Sequence, residues 1–257
     1  MDVWKHPLGP WRRCHRLSRI TLQLKDSAKL ALVDLDSRSW VSRDRILTWM
    51  PEVALVGPEA IPAIKPLESL PRVDRFVAYD KTNTASSAST SLIHFFVDDR
   101  KINAVLRQPG RYLERFSGFA GVTCPDVSIY GSMPRHARIA SVFQSRAVGA
   151  YFQHHGVRVV PVARWFDESD FDYCFVGLPA ESPIAVSPHG CSRTRDDRAR
   201  FRRGLVRMVD EVSPSLLIVH GSAAPSIFEA VGERIPVLQL DSEKAQAHGR
   251  GRTDGGR

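Results

Sequence analysis

No apolar run in this chain approaches the roughly 20 residues that a membrane-spanning helix needs. The longest apolar runs, such as Ser215 to Val219, are strand-length, which predicts a chain without a membrane-spanning helix. The N-terminus carries Trp4, Pro7, Pro10 and Trp11 among Lys5, Arg12, Arg13, Arg16 and Arg19. It lacks the apolar stretch of a signal peptide, so export is not expected. Cys-x-x-Cys spacing is missing too. Cys14, Cys124, Cys174 and Cys191 are scattered and read as reduced and mostly buried, which fits a cytoplasmic protein. A nucleophile elbow, a P-loop and a Gly-x-Gly-x-x-Gly loop are absent, which removes support for serine-hydrolase, nucleoside-triphosphatase and dinucleotide-binding readings.

What is present is an ordinary globular composition, 43% hydrophobic and 25% charged over 257 residues. The formal charge of +8 is concentrated at the start, where residues 1–20 hold five basic side chains and one acidic one. Arginine outnumbers lysine 29 to 7, a skew that coding-sequence composition produces without any selection for binding. Residues 1–28 are basic and irregular. Residues 29–91 form a covering region with a short strand at Leu30–Asp34, five prolines between Pro51 and Pro71, and a Ser/Thr-rich mobile loop at 82–91. Residues 241–257 form a Gly/Arg tail expected to be disordered.

Between them, residues 92–240 alternate short apolar runs with helical periodicity. Strands are predicted at Leu92–Val97, Gly121–Cys124, Val157–Pro161, Tyr173–Val176, Ile184–Ser187, Ser215–Val219 and Pro236–Leu240. A helix follows Ser132 as cap, with Pro134 in its first turn, and stops at Gly156. Another opens on Thr194 and Asp197, an acidic capping box, and buries Phe201, Leu205, Met208 and Val212. Strands separated by helices imply right-handed crossovers, hence an α/β fold with a mainly parallel sheet and flanking helices. The interval between the third and fifth strands is too short for full helices, so an open or irregular barrel-like arrangement is expected rather than a complete eight-fold barrel.

In such folds ligands bind beyond the carboxyl ends of the strands. That rule selects Asp98, Asp99, Asp126, Trp165 with Asp167 and Glu168, Ser187 with His189, and His220 with Ser222. Each also has a plainer reading. An aspartate before a helix is an N-cap, Trp165 is a packing residue, and a histidine beside glycine satisfies a loop. On the functional reading Asp99 and Asp126 are acid, base or metal ligands, Tyr130, Gln153 and His189 are ligand-binding groups, and Trp165 is a stacking wall. Asp126 with His189 or His220 supplies part of a metal site, but no spacing demands a metal and no cofactor is specified. The competing partner is nucleic acid, tracked by Arg195, Arg198 and Arg202 on one helix face, although Asp196, Asp197 and Asp210 dilute that field. A structural protein with neither site is the third reading.

The succession His94-Phe-Phe-Val-Asp-Asp99, Pro109-Gly-Arg-Tyr-Leu113, Gly121-Val-Thr-Cys-Pro-Asp-Val-Ser-Ile-Tyr130, Gly149-Ala-Tyr-Phe-Gln153, Gly156-Val-Arg-Val-Val-Pro161 and Trp165 resembles a bacterial family, domain of unknown function 4417, carried by phages, plasmids and other mobile elements. That family has Phe where Val127 stands and an aromatic residue where His220 stands. The resemblance implies a cytoplasmic mobile-element protein and brings no established activity or catalytic residue.

Overall fold

The structure, a computed structural model, describes residues 20–23, 31–33, 46–85 and 87–240. The basic segment up to residue 19 and the tail from residue 241 lie outside the described residues. A small sheet in the order β2-β1-β3-β4 comes first, made of β1 (Ile20–Gln23), β2 (Ala31–Val33), β3 (Leu55–Val56) and β4 (Ile61–Pro62). Pro62 falls on its outermost strand, where a missing backbone N–H breaks no ladder. Leu55 of β3, with Leu47 and Met50 from the segment before it, packs against Ala147 of the long helix α3 (Arg135–His154).

The main sheet is built from β5 (Arg75–Ala78), β6 (Ser91–His94), β7 (Gly121–Thr123), β8 (Val159–Val160), β9 (Pro183–Val186), β10 (Leu216–His220) and β11 (Val237–Leu240). Every pairing from β5 to β8 and from β9 to β11 is parallel. A parallel bridge between Val162 and Ala185 joins the two halves, with Ala163 N–H donating to Ala185 O at 3.0 Å and Ala185 N–H to Pro161 O at 2.8 Å. The spatial order is therefore the chain order. When each crossover steps to the next neighbour with one hand, all the helices fall on one face and the other face curls onto itself.

Side-chain alternation confirms the curl. Ile184, Val186, Leu217 and Val219 face the helical layer of α5 (Arg195–Val212) and α6 (Pro225–Gly232). Their neighbours Val160, Val162, Ala185, Ile218 and Leu240 join Phe76 and Leu92 in the inner core. The arrangement is an α/β fold with a seven-stranded, irregular, barrel-like parallel sheet, one of the two forms, open or barrel-like, expected of the sequence.

Several local expectations are corrected. Tyr173–Val176 is not a strand; Phe171–Cys174 forms helix α4, with Asp170 at the N-cap position but its side chain turned to other partners. Asp170 accepts from the N–H groups of Phe166 and Asp167 and from the Tyr173 hydroxyl, which fixes a turn where aromatic residues alone suggest extension. The N-cap of α3 is Pro134, not Ser132. Residues 79–90 hold two short 3-10 turns leading into β6. Gly156 does end the α3 segment, at φ +79, where a side chain would be strained.

Candidate ligand cleft at the strand ends

Because the strands are parallel, the segments that follow β6, β7, β8 and β9 emerge on one rim. Residues 96–99, 126–130, 164–166 and 187–193 line a single cleft of about 650 Å³ there, with Asp197, Arg200 and Phe201 of α5 closing one side. Asp98 caps α1 (Asp99–Arg107) by accepting from Arg100 N–H at 2.9 Å. That cap places Asp99 at the first helical position, where its Oδ1 accepts from Ser128 N–H at 3.2 Å and Ser128 Oγ–H at 3.0 Å. Asp126 stands two residues before Ser128, so about 7 Å of chain at most separates it from the residue that Asp99 binds.

Asp126 and Arg164 form the anchored pair of the cleft. Arg164 donates Nε–H to Asp126 Oδ1 at 2.7 Å and Nη2–H to Oδ2, a two-pronged match of fork to carboxylate. Both side chains are largely withdrawn from solvent, at 17% and 7% exposure. Burial pulls the Arg164 guanidinium down, but the Asp126 carboxylate and the Cys191 thiol more than offset it, and the net direction is up. Nη1–H reaches Cys191 Sγ at 3.2 Å, while burial pushes that thiol up and keeps it protonated.

Aromatic groups complete the walls. Tyr130 is 58% exposed, the one large hydrophobic side chain so open among the described residues. Arg200 lies over the Phe166 ring at 4.7 Å and pairs with Asp197. Trp165 is buried at 3% exposure, stacked on Phe201 at 5.0 Å, so it is floor rather than open wall. Its indole Nε1 is turned toward Gly204, where a Cβ would come within 2.0 Å. Only glycine admits that approach of α5.

Beneath the cleft the last inward-facing residues of the strands form a polar layer. His94 and His220 meet with ring centroids 4.5 Å apart, and Phe96 stacks on His220 at 4.7 Å. His94 Nδ1 accepts from Phe96 N–H at 3.2 Å, so the imidazole is neutral with its proton on Nε2. Burial holds His94 well below the usual imidazole range, and His220 and Lys81 add to the effect. Ser187 Oγ lies 3.3 Å from His220 Nδ1 and donates to His220 O at 3.1 Å.

The cleft brings together Asp99, Asp126, Tyr130, Trp165 and His189. Gln153 is elsewhere: on the last turn of α3, it accepts from Lys65 N–H at 3.0 Å and donates to Lys65 O at 2.9 Å, tying down the N-terminal region. Asp167 caps the turn at 168–170, and Glu168 pairs with Arg203 outside the cleft. Arg195 and Arg202 are exposed on α5, whereas Arg198 is half-buried and donates to the carbonyls of Ser192 and Arg193. Among the described residues, no group of three or more His, Cys, Asp or Glu side chains is placed to hold a metal. Sequence reasoning missed Phe96, Arg164 and Phe166, and read Arg193 and Arg200 only as part of an arginine-rich stretch suited to nucleic acid. Arg164 and Phe166 flank Trp165 at a predicted strand end, a signal that was available.

No helix of the described residues is long and apolar enough to cross a membrane. No solved structure matches the chain. Two phage proteins do. The Gene 1 protein of Mycobacterium phage L5 is 32% identical over 161 residues, 63% of this chain and 70% of that protein. The Gene 1 protein of Mycobacterium phage D29 is 37% identical over 136 residues, 53% of this chain and 50% of that protein, so the match spans about half of the second relative. The match to a whole family covers residues 53–241, from just before β3 through β11 and thus the entire cleft. The chain belongs to the family described as Domain of unknown function (DUF4417).

Proposed function

We propose that this phage-related domain binds a small polar ligand at the mouth of its parallel barrel. The observation that carries the reading is the convergence of four successive strand-end segments on one cleft. Within it Arg193 has no ion-pair or hydrogen-bond partner for its guanidinium among the described residues, and Asp99 uses one carboxylate oxygen on Ser128 and keeps the other. A ligand with an acceptor for Arg193, a donor for Asp99 and a planar group for Tyr130 and Phe96 meets all three. Asp126, locked to Arg164, holds the wall in shape rather than moving protons. His189, exposed at the rim, supplies a further polar contact. The free thiols of Cys124, Cys174 and Cys191 fit a reducing cytoplasm.

The test is thermal unfolding of the full chain against nucleoside monophosphates, sugar phosphates and amino acids as probes. At least one class is expected to raise the midpoint saturably, with affinity lowered about tenfold or more by Arg193→Glu and by Tyr130→Ala. A flat response to every probe, or shifts that survive both substitutions, would discard the cleft as the site.

A second reading is supported by Arg195 and Arg202, which are exposed on α5 without a carboxylate partner, beside a shallow depression lined by Arg202, Arg203 and Arg207. Arg203 and Arg207 are already paired with Glu168 and Glu211, which weakens that face as a phosphate track. Oligonucleotide binding that falls steeply with salt and disappears in the double variant Arg195→Glu, Arg202→Glu would favour this reading over the cleft.

A further inference from the structure

The cleft has two ends of unlike charge, and its length decides what can touch both. The segments that line it follow β6, β7, β8 and β9, which are neighbours in that order. β6 and β9 therefore stand three places apart, about 14 Å along the sheet. The segment after β6 brings Asp99 and the segment after β9 brings Arg193. One end offers a hydrogen-bond acceptor and the other a cation.

The acceptor end is built around Ser128. Its N–H and Oγ–H both donate to Asp99 Oδ1, so that oxygen is engaged and Oδ2 remains for a ligand. Tyr130 follows two residues later, within about 7 Å of chain. It is also the ring with an open face: Trp165 is buried against Phe201, Arg200 covers Phe166, and Phe96 leans on His220. A flat group stacked on Tyr130 thus lies beside a carboxylate oxygen that accepts, which suits an aromatic ring carrying an amine. At the other end the Arg193 guanidinium, without a partner among the described residues, suits phosphate.

Ligand length then separates the classes. An amino acid has a single carbon between its charged groups and cannot reach both ends. A sugar phosphate brings the anion but no flat face. A nucleoside monophosphate places a sugar between an amine-bearing base and a phosphate, and a cleft of about 650 Å³ holds a molecule of that size.

We propose that the ligand is a free nucleoside monophosphate with an amine-bearing base, its base on Tyr130 and Asp99 and its phosphate on Arg193. The proposal rests on the ligand reading of the cleft and narrows it to one class.

The experiment is isothermal titration calorimetry of the full chain with adenosine monophosphate, inosine monophosphate, adenosine and ribose phosphate. Adenosine monophosphate is expected to bind about tenfold or more tighter than adenosine, which lacks the phosphate, and than inosine monophosphate, which carries a carbonyl in place of the amine. Arg193→Ala should bring adenosine monophosphate down to the affinity of adenosine and leave adenosine unchanged. Asp99→Asn carries the sharper expectation. The two Ser128 donors still demand an oxygen, so the amide turns its NH2 group to the ligand and the preference should reverse in favour of inosine monophosphate. A merely structural role for Asp99 would weaken both nucleotides alike. Inosine monophosphate bound as well as adenosine monophosphate by the native chain, or a preference unmoved in Asp99→Asn, overturns the proposal. Ribose phosphate bound as tightly as either nucleotide, and lost in Arg193→Ala, overturns the nucleotide class and leaves the cleft as a site. A phosphorylated trinucleotide bound more tightly than adenosine monophosphate overturns it in favour of a strand end. No binding of any of these ligands overturns it outright, and reaches the cleft reading only if the amino acids fail as well.

Discussion

The ion pair of Asp126 with Arg164 shows how far single residues could be read. Asp126 was legible, because an aspartate just past Pro125 at a strand end stands where parallel folds keep polar groups. Its pairing with Arg164 was not, because the strand-end position that marks Arg164 says nothing of a partner 38 residues away in sequence. Removing one member of such a buried pair strands the other. Asp126→Ala should cost about 3–5 kcal/mol in urea unfolding, whereas Asp126→Leu with Arg164→Met should recover most of that loss. If the single variant proves as stable as the native chain, the pair is not anchored as described. Gln153 shows the converse difficulty: helical spacing assigned it to α3 but could not say which side of the barrel the last turn of that helix faces.

Helix α5 was the most legible element, since its capping box and its stripe of Phe201, Leu205, Met208 and Val212 are local signals. Thr194 accepts from Asp197 N–H at 3.0 Å and Asp197 accepts from Thr194 N–H at 3.0 Å. Thr194→Ala should therefore cost about 1 kcal/mol in denaturant midpoint measurements. Gly204 on the same helix tests packing against propensity. In an exposed helix, glycine to alanine gains about 1 kcal/mol. Here the added Cβ would overlap Trp165, so Gly204→Ala should instead destabilise by roughly 1–3 kcal/mol, and a stabilised variant would show that the approach is looser than it looks. Less legible were α4, whose aromatic composition mimics a strand until the hydrogen bonds of Asp170 to Phe166 N–H and Asp167 N–H are seen to fix a turn before it, and β5, whose Arg75–Ala78 is too short to show a period. Both depend on tertiary partners that no window of sequence contains.

At the scale of the whole molecule, strands that succeed one another in space as in sequence make a barrel whose inner layer carries His94 and His220. The folded chain keeps His94 neutral, while in the unfolded chain it takes up a proton near the ordinary value of 6.5. Its contribution to stability is therefore complete above about pH 6.5 and declines as the pH falls below it, by up to about 1.4 kcal/mol per pH unit. Urea titrations at successive pH values should show that slope in the native chain and its loss in His94→Phe; a native chain equally stable at about pH 7.5 and about pH 5.5 would contradict a buried, neutral His94. His220, the last residue of β10, also belongs to an aromatic cluster inside the curl, while no strand pairing joins β5 to β11 among the described residues. Phe76 meets His220 there, edge to face, at 5.3 Å. With no ladder to break between β5 and β11 among the described residues, that seam is where the interior is expected to admit water first.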